Sequence, residues 1–283
     1  MGLEENINYA YWIDLGTTDY RYAFDLQVKY ANLRKDDKIP DIIFCTQHNP
    51  VISFGTSKMH NGFSEKFLQD VQEKYGNTKL DTIVNYLKQK GIQFYDASIN
   101  SHDTIRGGGS TYIGPGQLLI YPVVNYKKIL GPIESLGIAE YNNKICTVML
   151  DVLREFYNID AQAFKVTDIL PDNPLNEERK DRKDIWIEKN GKFYKLGSKG
   201  VRIQGNIAYH GFSLFVKKEG IIGFDKILVC GYTKNQLDVT SMEHEYGDEI
   251  DIEEVKRGIK EKILLHFNYE DIINTTLEHL TLN

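Results

Sequence analysis

The 283-residue chain reads as an α/β protein, a mixed β-sheet with helices packed on it, in a single domain spanning residues 1–283. Three observations predict this. Strand-like runs are interleaved with segments of helical periodicity, but without the strict βαβ rhythm of a doubly wound fold. No internal repeat and no convincing linker divides the chain. The composition, 41% hydrophobic, 26% charged and 12% aromatic, is that of a folded protein long enough to bury a full core.

Residues 10–16 (Ala-Tyr-Trp-Ile-Asp-Leu-Gly) predict a first strand, and Tyr22, Leu26, Tyr30 and Leu33 follow at helical spacing. Asp41 to Phe44 is a short apolar strand leading to Gln47-His-Asn-Pro-Val-Ile-Ser-Phe-Gly55. Asn-Pro signals a turn, and His48 beside it serves either the local backbone or the rim of a pocket. Residues 56–78 are polar and without clear period, which predicts an exposed, mobile connection. Leu80, Ile83, Val84 and Leu87 mark a short amphipathic helix ended by Gly91, with Ile92 to Tyr95 as the next strand.

The stretch Arg106-Gly-Gly-Gly-Ser-Thr-Tyr-Ile-Gly-Pro-Gly-Gln-Leu-Leu-Ile-Tyr-Pro122 follows. Its glycines and proline rule out a helix, since glycine costs about 1 and proline about 3 kcal/mol relative to alanine. The segment up to Gly116 predicts a loop whose bare backbone N–H groups can approach a ligand closely, with Leu118 to Tyr121 a buried strand that holds it. Tyr141, Ile145, Val148, Met149, Val152 and Phe156 trace a helix of roughly four turns, with Cys146 packed beside its apolar stripe. Residues 171–184 form a charged surface loop. The runs 184–188 and 192–196 flank Asn190-Gly191, a strong hairpin signal. Two short strands are expected near 201–203 and 211–216, and Ile252, Val255, Ile259 and Ile263 mark a last helix.

The net charge of −6 argues against nucleic acid as a partner, because phosphate backbones demand a basic face. No run of about 18 apolar residues is present, so no membrane span is expected. The N-terminal Met-Gly-Leu-Glu-Glu-Asn carries acid where a targeting segment would carry base, and a cytoplasmic location is expected. Cys45, Cys146 and Cys230 are too few and too scattered for a disulfide framework, and no CxxC pair suggests zinc.

Reactive groups concentrate in the glycine-rich stretch, in Lys195-Leu-Gly-Ser-Lys-Gly-Val-Arg202 running on to Tyr209-His-Gly211, and in Val229-Cys-Gly-Tyr232. A thiolate is a nucleophile and a nearby ammonium favours it, so Cys230 with a lysine could carry an acyl group as a thioester. The residues alone equally allow a packed cysteine and a surface lysine. Gly107-x-Gly109 lacks the strand-to-helix context of a dinucleotide fingerprint, and there is no Gly-Lys-Ser/Thr of a nucleotide P-loop.

Taken together, Arg106-Gly-Gly-x-x-Thr-Tyr-x-Gly-Pro-Gly-Gln-Leu with Tyr121-Pro122, Lys195-Leu-x-x-x-Gly-Val-Arg202, His210-Gly-Phe-x-Leu214, and Cys230-Gly with Thr240-Ser241 resemble the lipoyl(octanoyl) transferase family in order and spacing. Weaker similarity surrounds Asp14-Leu-Gly, Gln27 and His48. The resemblance implies a biotin/lipoyl ligase-like catalytic domain that moves an octanoyl or lipoyl group from acyl carrier protein to a lysine of a lipoyl domain, of 2-oxoacid dehydrogenases or the glycine cleavage H protein, without ATP or metal. Cys230 would carry the thioester and Lys195 would favour its thiolate. Arg106, Gly107, Gly108, Gly109, Ser110, Thr111, Tyr112 and Ile113 would line the acyl site with Ser198, Lys199, Gly200, Gly211, Phe212 and Ser213. His210 would orient the site, serve the incoming amine, or act as a structural histidine.

The chain departs from the family pattern at Ile113 (for His), Val229 (for Pro), Phe215 (for Asn) and Gln47 (for Glu). Those at Ile113 and Phe215 put apolar surface where a polar group is expected and bear on chain length, donor and acceptor. Two related chemistries share the resemblance: an amidotransferase moving the acyl group between carrier domains, and an ATP-dependent lipoate or biotin ligase, which needs no nucleophilic cysteine. A non-catalytic acyl-binding or carrier-docking protein is the alternative from another class.

Overall fold

A computed structural model describes residues 8–55, 62–96, 109–131, 137–170 and 183–280. Arg106, Gly107 and Gly108, the N-terminal hexapeptide and residues 56–61 and 171–182 lie outside them.

Strand β1 (Tyr9–Thr18) runs to Asp19, whose carboxylate accepts from the Arg21 and Tyr22 N–H groups and so starts helix α1 (Tyr20–Lys35). β2 (Asp41–His48) and β3 (Val51–Phe54) come next. The expected open connection instead contains helix α2 (Glu65–Tyr75), capped by Ser64 and closed by Gly76 at φ 74°, with Phe67 and Val71 buried. One narrow apolar stripe on an otherwise charged segment suffices once a partner surface exists, which is why periodicity alone missed it. α3 (Leu80–Gln89) and β4 (Gln93–Asp96) agree with expectation. Ser110–Ile113, expected as loop, is strand β5, paired antiparallel with β3. β6 (Gln117–Asn125), α4 (Tyr126–Leu130) and α5 (Ile138–Asp151) follow, α5 ending in a π-helical turn, Val152–Phe156. β7 (Gln162–Lys165) and α6 (Val166–Ile169) lead to the hairpin β8 (Lys183–Lys189) and β9 (Lys192–Lys199). Asn190 and Gly191 turn it at φ 53° and 73°, as a two-residue hairpin requires. β10 (Arg202–Gln204), β11 (Ile207–Tyr209) and β12 (Phe212–Phe215) precede a 3₁₀ segment, Lys218–Lys226. β13 (Leu237–Val239), α7 (Met242–Tyr246), α8 (Ile252–His266) and β14 (Asp271–Asn274) complete the order.

The large sheet runs β14-β1-β2-β6-β12-β9-β8-β7, with β11 also on β6, β10 on β11 and β13 on β9; a small sheet runs β4-β3-β5. β1 is parallel to β14 and β2, whereas β6 is antiparallel to β2 and β12, so the sheet is mixed as expected. β6 is buried on both faces. Leu118 and Ile120 join the core under α5 and α8, whereas Leu119, Tyr121 and Val123 join the core under α1, as the two-residue strand period dictates. α2, α3 and the 3₁₀ segment cover the small sheet. No helix among the described residues is long and apolar enough to cross a membrane.

Pro122 in a central strand would ordinarily lose a ladder hydrogen bond. Here β12 pairs with β6 up to Ile120 and β11 takes over at Val124, so Pro122 falls at the changeover, opposite the kink His210-Gly211. A Cβ on Gly211 would stand 2.2 Å from the Ile120 carbonyl oxygen and 2.6 Å from Pro122 Cδ. The kink therefore needs glycine, and it sets His210 at the edge of a cavity.

Candidate active site

The two sheets enclose a cavity with about 930 Å³ of empty space, its open mouth included. β5 supplies Gly109, Ser110, Thr111 and Ile113 to its wall, and β9 with the following turn supplies Ser198, Lys199 and Gly200. His210, Gly211, Phe212 and Ser213 form the opposing edge, and Lys195 and Cys230 face in. Thus most of the described candidates from the sequence converge on one space.

Tyr112 does not. Its ring is held between Gly114 and Gly223, where an added Cβ would come within 2.3 Å of its hydroxyl and 2.2 Å of its ring respectively, and it packs edge-on against Phe224 at 5.8 Å. Alternation along β5 turns Tyr112 into the core of the small sheet while Ile113 faces the cavity. Phe215 is likewise buried against Phe224 and lines no part of the cavity, so of the two apolar departures only Ile113 shapes it. Gly-Pro-Gly-Gln is also architectural: Gly116 N–H donates to Gln47 Oε1 at 2.9 Å, and Gln117 Nε2 donates to the carbonyls of Tyr112 and Gly220. The motif ties β5 and β6 to the 3₁₀ segment.

Cys230 sits in a two-residue turn with Gly231. Their φ values are 53° and 79°, and Tyr232 N–H closes the turn on the Val229 carbonyl at 3.0 Å. A left-handed cysteine is costly unless the surroundings over-determine it. They do: Leu228 donates to the Gly62 carbonyl at 2.9 Å and accepts from Ser110 Oγ at 3.1 Å. The turn thereby presents the sulfur, half-buried, to the cavity.

The sulfur has a partner. Lys195 Nζ lies 3.4 Å from Cys230 Sγ and 2.7 Å from Asp184 Oδ2, over the Trp186 ring. Burial opposes the ammonium charge, but Asp184 and Cys230 outweigh it and raise the Lys195 pKa above its ordinary value. The hairpin register explains the placement. Trp186 pairs with Lys195 but Ile185 pairs with Gly197, so Leu196 is an extra residue, a bulge. Leu196 joins the α5-side core and Gly197 abuts Met149 of α5, while Lys195 is left facing Cys230. The bulge falls just past Lys195, whose face the regular pairing from the turn already sets, and shifts the register of the Ser198–Gly200 wall beyond it.

His48 ends β2 behind the wall. Nδ1 lies 3.1 Å from the Thr18 carbonyl and Nε2 2.9 Å from the hydroxyl of cavity-lining Tyr121. Burial depresses its pKa to about 4, so the ring is neutral, Nδ1–H donating and Nε2 accepting. It both serves the local backbone and buttresses the pocket without entering it. The His210 ring stacks on Phe24, and the His210 backbone N–H donates to Gln27 Oε1 at 2.8 Å. Cys146, on α5, is packed in the core as expected, with Lys199 Nζ 3.8 Å away. Tyr20, Leu119, Tyr121, Val166 and Asp184 also line the cavity, and sequence reasoning missed them. For Asp184 a signal existed: counting back from Asn190-Gly191 sets Trp186 across from Lys195 and Asp184 two residues on, on the same face. Among the described residues no group of three or more His, Cys, Asp or Glu is disposed to hold a metal ion.

The model of the lipoyl protein ligase A/B catalytic domain matches residues 19–264. The chain belongs to that family. It is 26% identical over 263 residues to an octanoyltransferase of Alkaliphilus metalliredigens, covering 93% of this chain and 97% of the relative. A mitochondrial octanoyltransferase of Arabidopsis thaliana is 26% identical over 261 residues, covering 92% and 89%. A solved lipoate-protein ligase A bound with ATP superposes with a TM-score of 0.62 at 14% identity, over 97% of this chain and 92% of that one. A Thermoplasma acidophilum bi-partite lipoate protein ligase, solved with its E2 lipoyl domain, gives 0.59 at 12% identity, over 97% and 90%. These structures establish the shared fold, in line with the class expected from the motifs.

Proposed function

We propose that the protein is an acyltransferase that moves an octanoyl group, or the derived lipoyl group, from the phosphopantetheine thioester of acyl carrier protein to a lysine of a lipoyl domain. One observation carries the reading: an ammonium 3.4 Å from a cysteine sulfur presented in a left-handed turn at the cavity. The relatives' name, octanoyltransferase, supports the acyl group, and the family's description together with the neighbour solved with its E2 lipoyl domain supports the acceptor class.

In the first step the Cys230 thiolate forms a bond to the donor carbonyl carbon, and the carrier's thiolate leaves. In the second the acceptor lysine's neutral amine forms the amide bond to the same carbon, the bond to the Cys230 sulfur breaks and returns it as the thiolate, and the proton lost by the nitrogen goes to solvent, balancing the one the carrier thiolate takes up on leaving. Lys195 donates a charge-assisted hydrogen bond to the sulfur whenever it is anionic. Thioester exchange is near balance and amide formation drives the sequence, so the atoms and charges close without nucleotide or metal. Leu119, Ile113, Phe212 and Val166 give the alkyl chain an apolar bed, and each buried CH₂ contributes roughly 0.8 kcal/mol.

The test is transfer from octanoyl-acyl carrier protein to a purified lipoyl domain, read by the acceptor's mass gain, without ATP. Transfer supports the reading. Gain only with free octanoate and ATP contradicts it, and gain only from an octanoylated carrier domain replaces the donor.

A further inference from the structure

Among the described residues, Asp184 is the carboxylate that touches both halves of the β9 bulge. Its Oδ2 takes the Lys195 ammonium at 2.7 Å, and its Oδ1 accepts the Lys199 backbone N–H at 2.9 Å. The side chain is nearly buried and lines the cavity. Past the extra residue Leu196, Ser198 and Gly197 re-pair with β12, and the Asp184 carboxylate supplies the acceptor for the next amide in line. A buried carboxylate is retained at such a cost only when paired and hydrogen-bonded, and here both oxygens are.

We propose that Asp184 is a positioning residue of the transfer reaction: it fixes the Lys195 ammonium against Cys230 and locks the bulge that carries the Ser198–Gly200 wall. Acylation converts the Cys230 sulfur to a neutral thioester and removes one anion beside Lys195. Asp184 is the anion that stays, so the lysine keeps its place and its proton through the acyl-enzyme and meets the departing thiolate of the second step as an ammonium. No group is oxidised or reduced, and Asp184 itself gains no proton. The charged and titratable groups facing Lys195 are Asp184 from β8 and Cys230 from its turn. On the β13 side Asp238 is engaged by Lys192, and the Lys199 ammonium also interacts with the Asp184 carboxylate.

The role rests on the transfer reading above, and one readout is independent of it: the rate of Cys230 alkylation by iodoacetamide against pH, which needs no acyl donor. The ammonium is the group whose loss ends pairing with the sulfur, and removing a neighbouring anion makes that loss come at lower pH. In Asp184→Asn we expect octanoyl-adduct formation to slow by about tenfold or more with donor KM within about twofold. The pH at which Lys195-dependent behaviour disappears, defined by comparison with Lys195→Ala, should move down, and Asp184→Glu should restore most of the rate. A wild-type rate in Asp184→Asn, or a slowed rate with that pH unmoved, overturns the proposal. If the Asn variant does not fold, Asp184→Ser is measured in its place: slowed adduct formation with that pH moved down in a folded protein supports positioning, and a wild-type rate, or a slowed rate with that pH unmoved, contradicts it. Shifted alkylation with no octanoyl adduct on any variant would uphold Asp184 and remove the transfer reading instead.

Discussion

Cys230 and His210, which face the same cavity, both hold left-handed backbone, at φ 53° and 58°. Such strain is kept where the surroundings impose it. At Cys230 the companion Gly231, at φ 79°, is where a side chain would add to it: Gly231→Ala is expected to cost about 1 kcal/mol in chemical denaturation and to slow alkylation of Cys230 more than the stability loss explains. His48 carries a pH dependence. Its folded pKa is depressed to about 4, below the ordinary 6.5, so as pH falls below 6.5 the unfolded chain takes up a proton that the folded chain refuses. Stability is then lost, by roughly 3 kcal/mol once pH reaches 4. His48→Gln should flatten that part of the stability profile; an unchanged slope between pH 6.5 and 4 would contradict the buried neutral ring.

Among the elements, β5 is where a change of acyl preference is expected. Ile113 faces the cavity and Tyr112 faces the core, so Ile113→Trp should shift preference from octanoyl toward shorter acyl donors, measured by competition between chain lengths. The same change at Phe215, walled off against Phe224, should lower stability without changing that preference. The β8–β9 hairpin was legible because Asn-Gly is chemically suited to two positive φ values. The bulge at Leu196, just past Lys195, was not, since an extra residue leaves no mark on hydrophobic alternation. α2 escaped notice because its stripe is narrow, and β5 because glycines next to a strand read as loop. The reactive trio was two-thirds legible: Cys230 and Lys195 stood out by motif, whereas Asp184 looked like the tail of a charged loop.

Across the whole molecule, the cavity depends on strands and helices remote in sequence meeting at fixed offsets. Asp41 is one tie: it accepts from Arg34 of α1, the Asn125 N–H at the end of β6 and the Tyr269 hydroxyl at 2.7 Å after α8. Asp41→Ala would leave a buried guanidinium and hydroxyl without their acceptor, and is expected to cost about 3–5 kcal/mol. Tyr20 reaches the cavity from α1 and Val166 from α6 for the same reason of long-range packing, which no local pattern encodes. What the whole fold accomplishes is to bring Lys195 and Cys230, 35 residues apart, to 3.4 Å.

The most direct measurement is intact-protein mass after incubation with octanoyl-acyl carrier protein, for wild type, Cys230→Ser and Lys195→Ala. The account predicts a hydroxylamine-sensitive octanoyl adduct on wild type, none on Cys230→Ser, and formation slowed by roughly 10²-fold or more in Lys195→Ala. No adduct on wild type, or an equal adduct on Cys230→Ser, would contradict it.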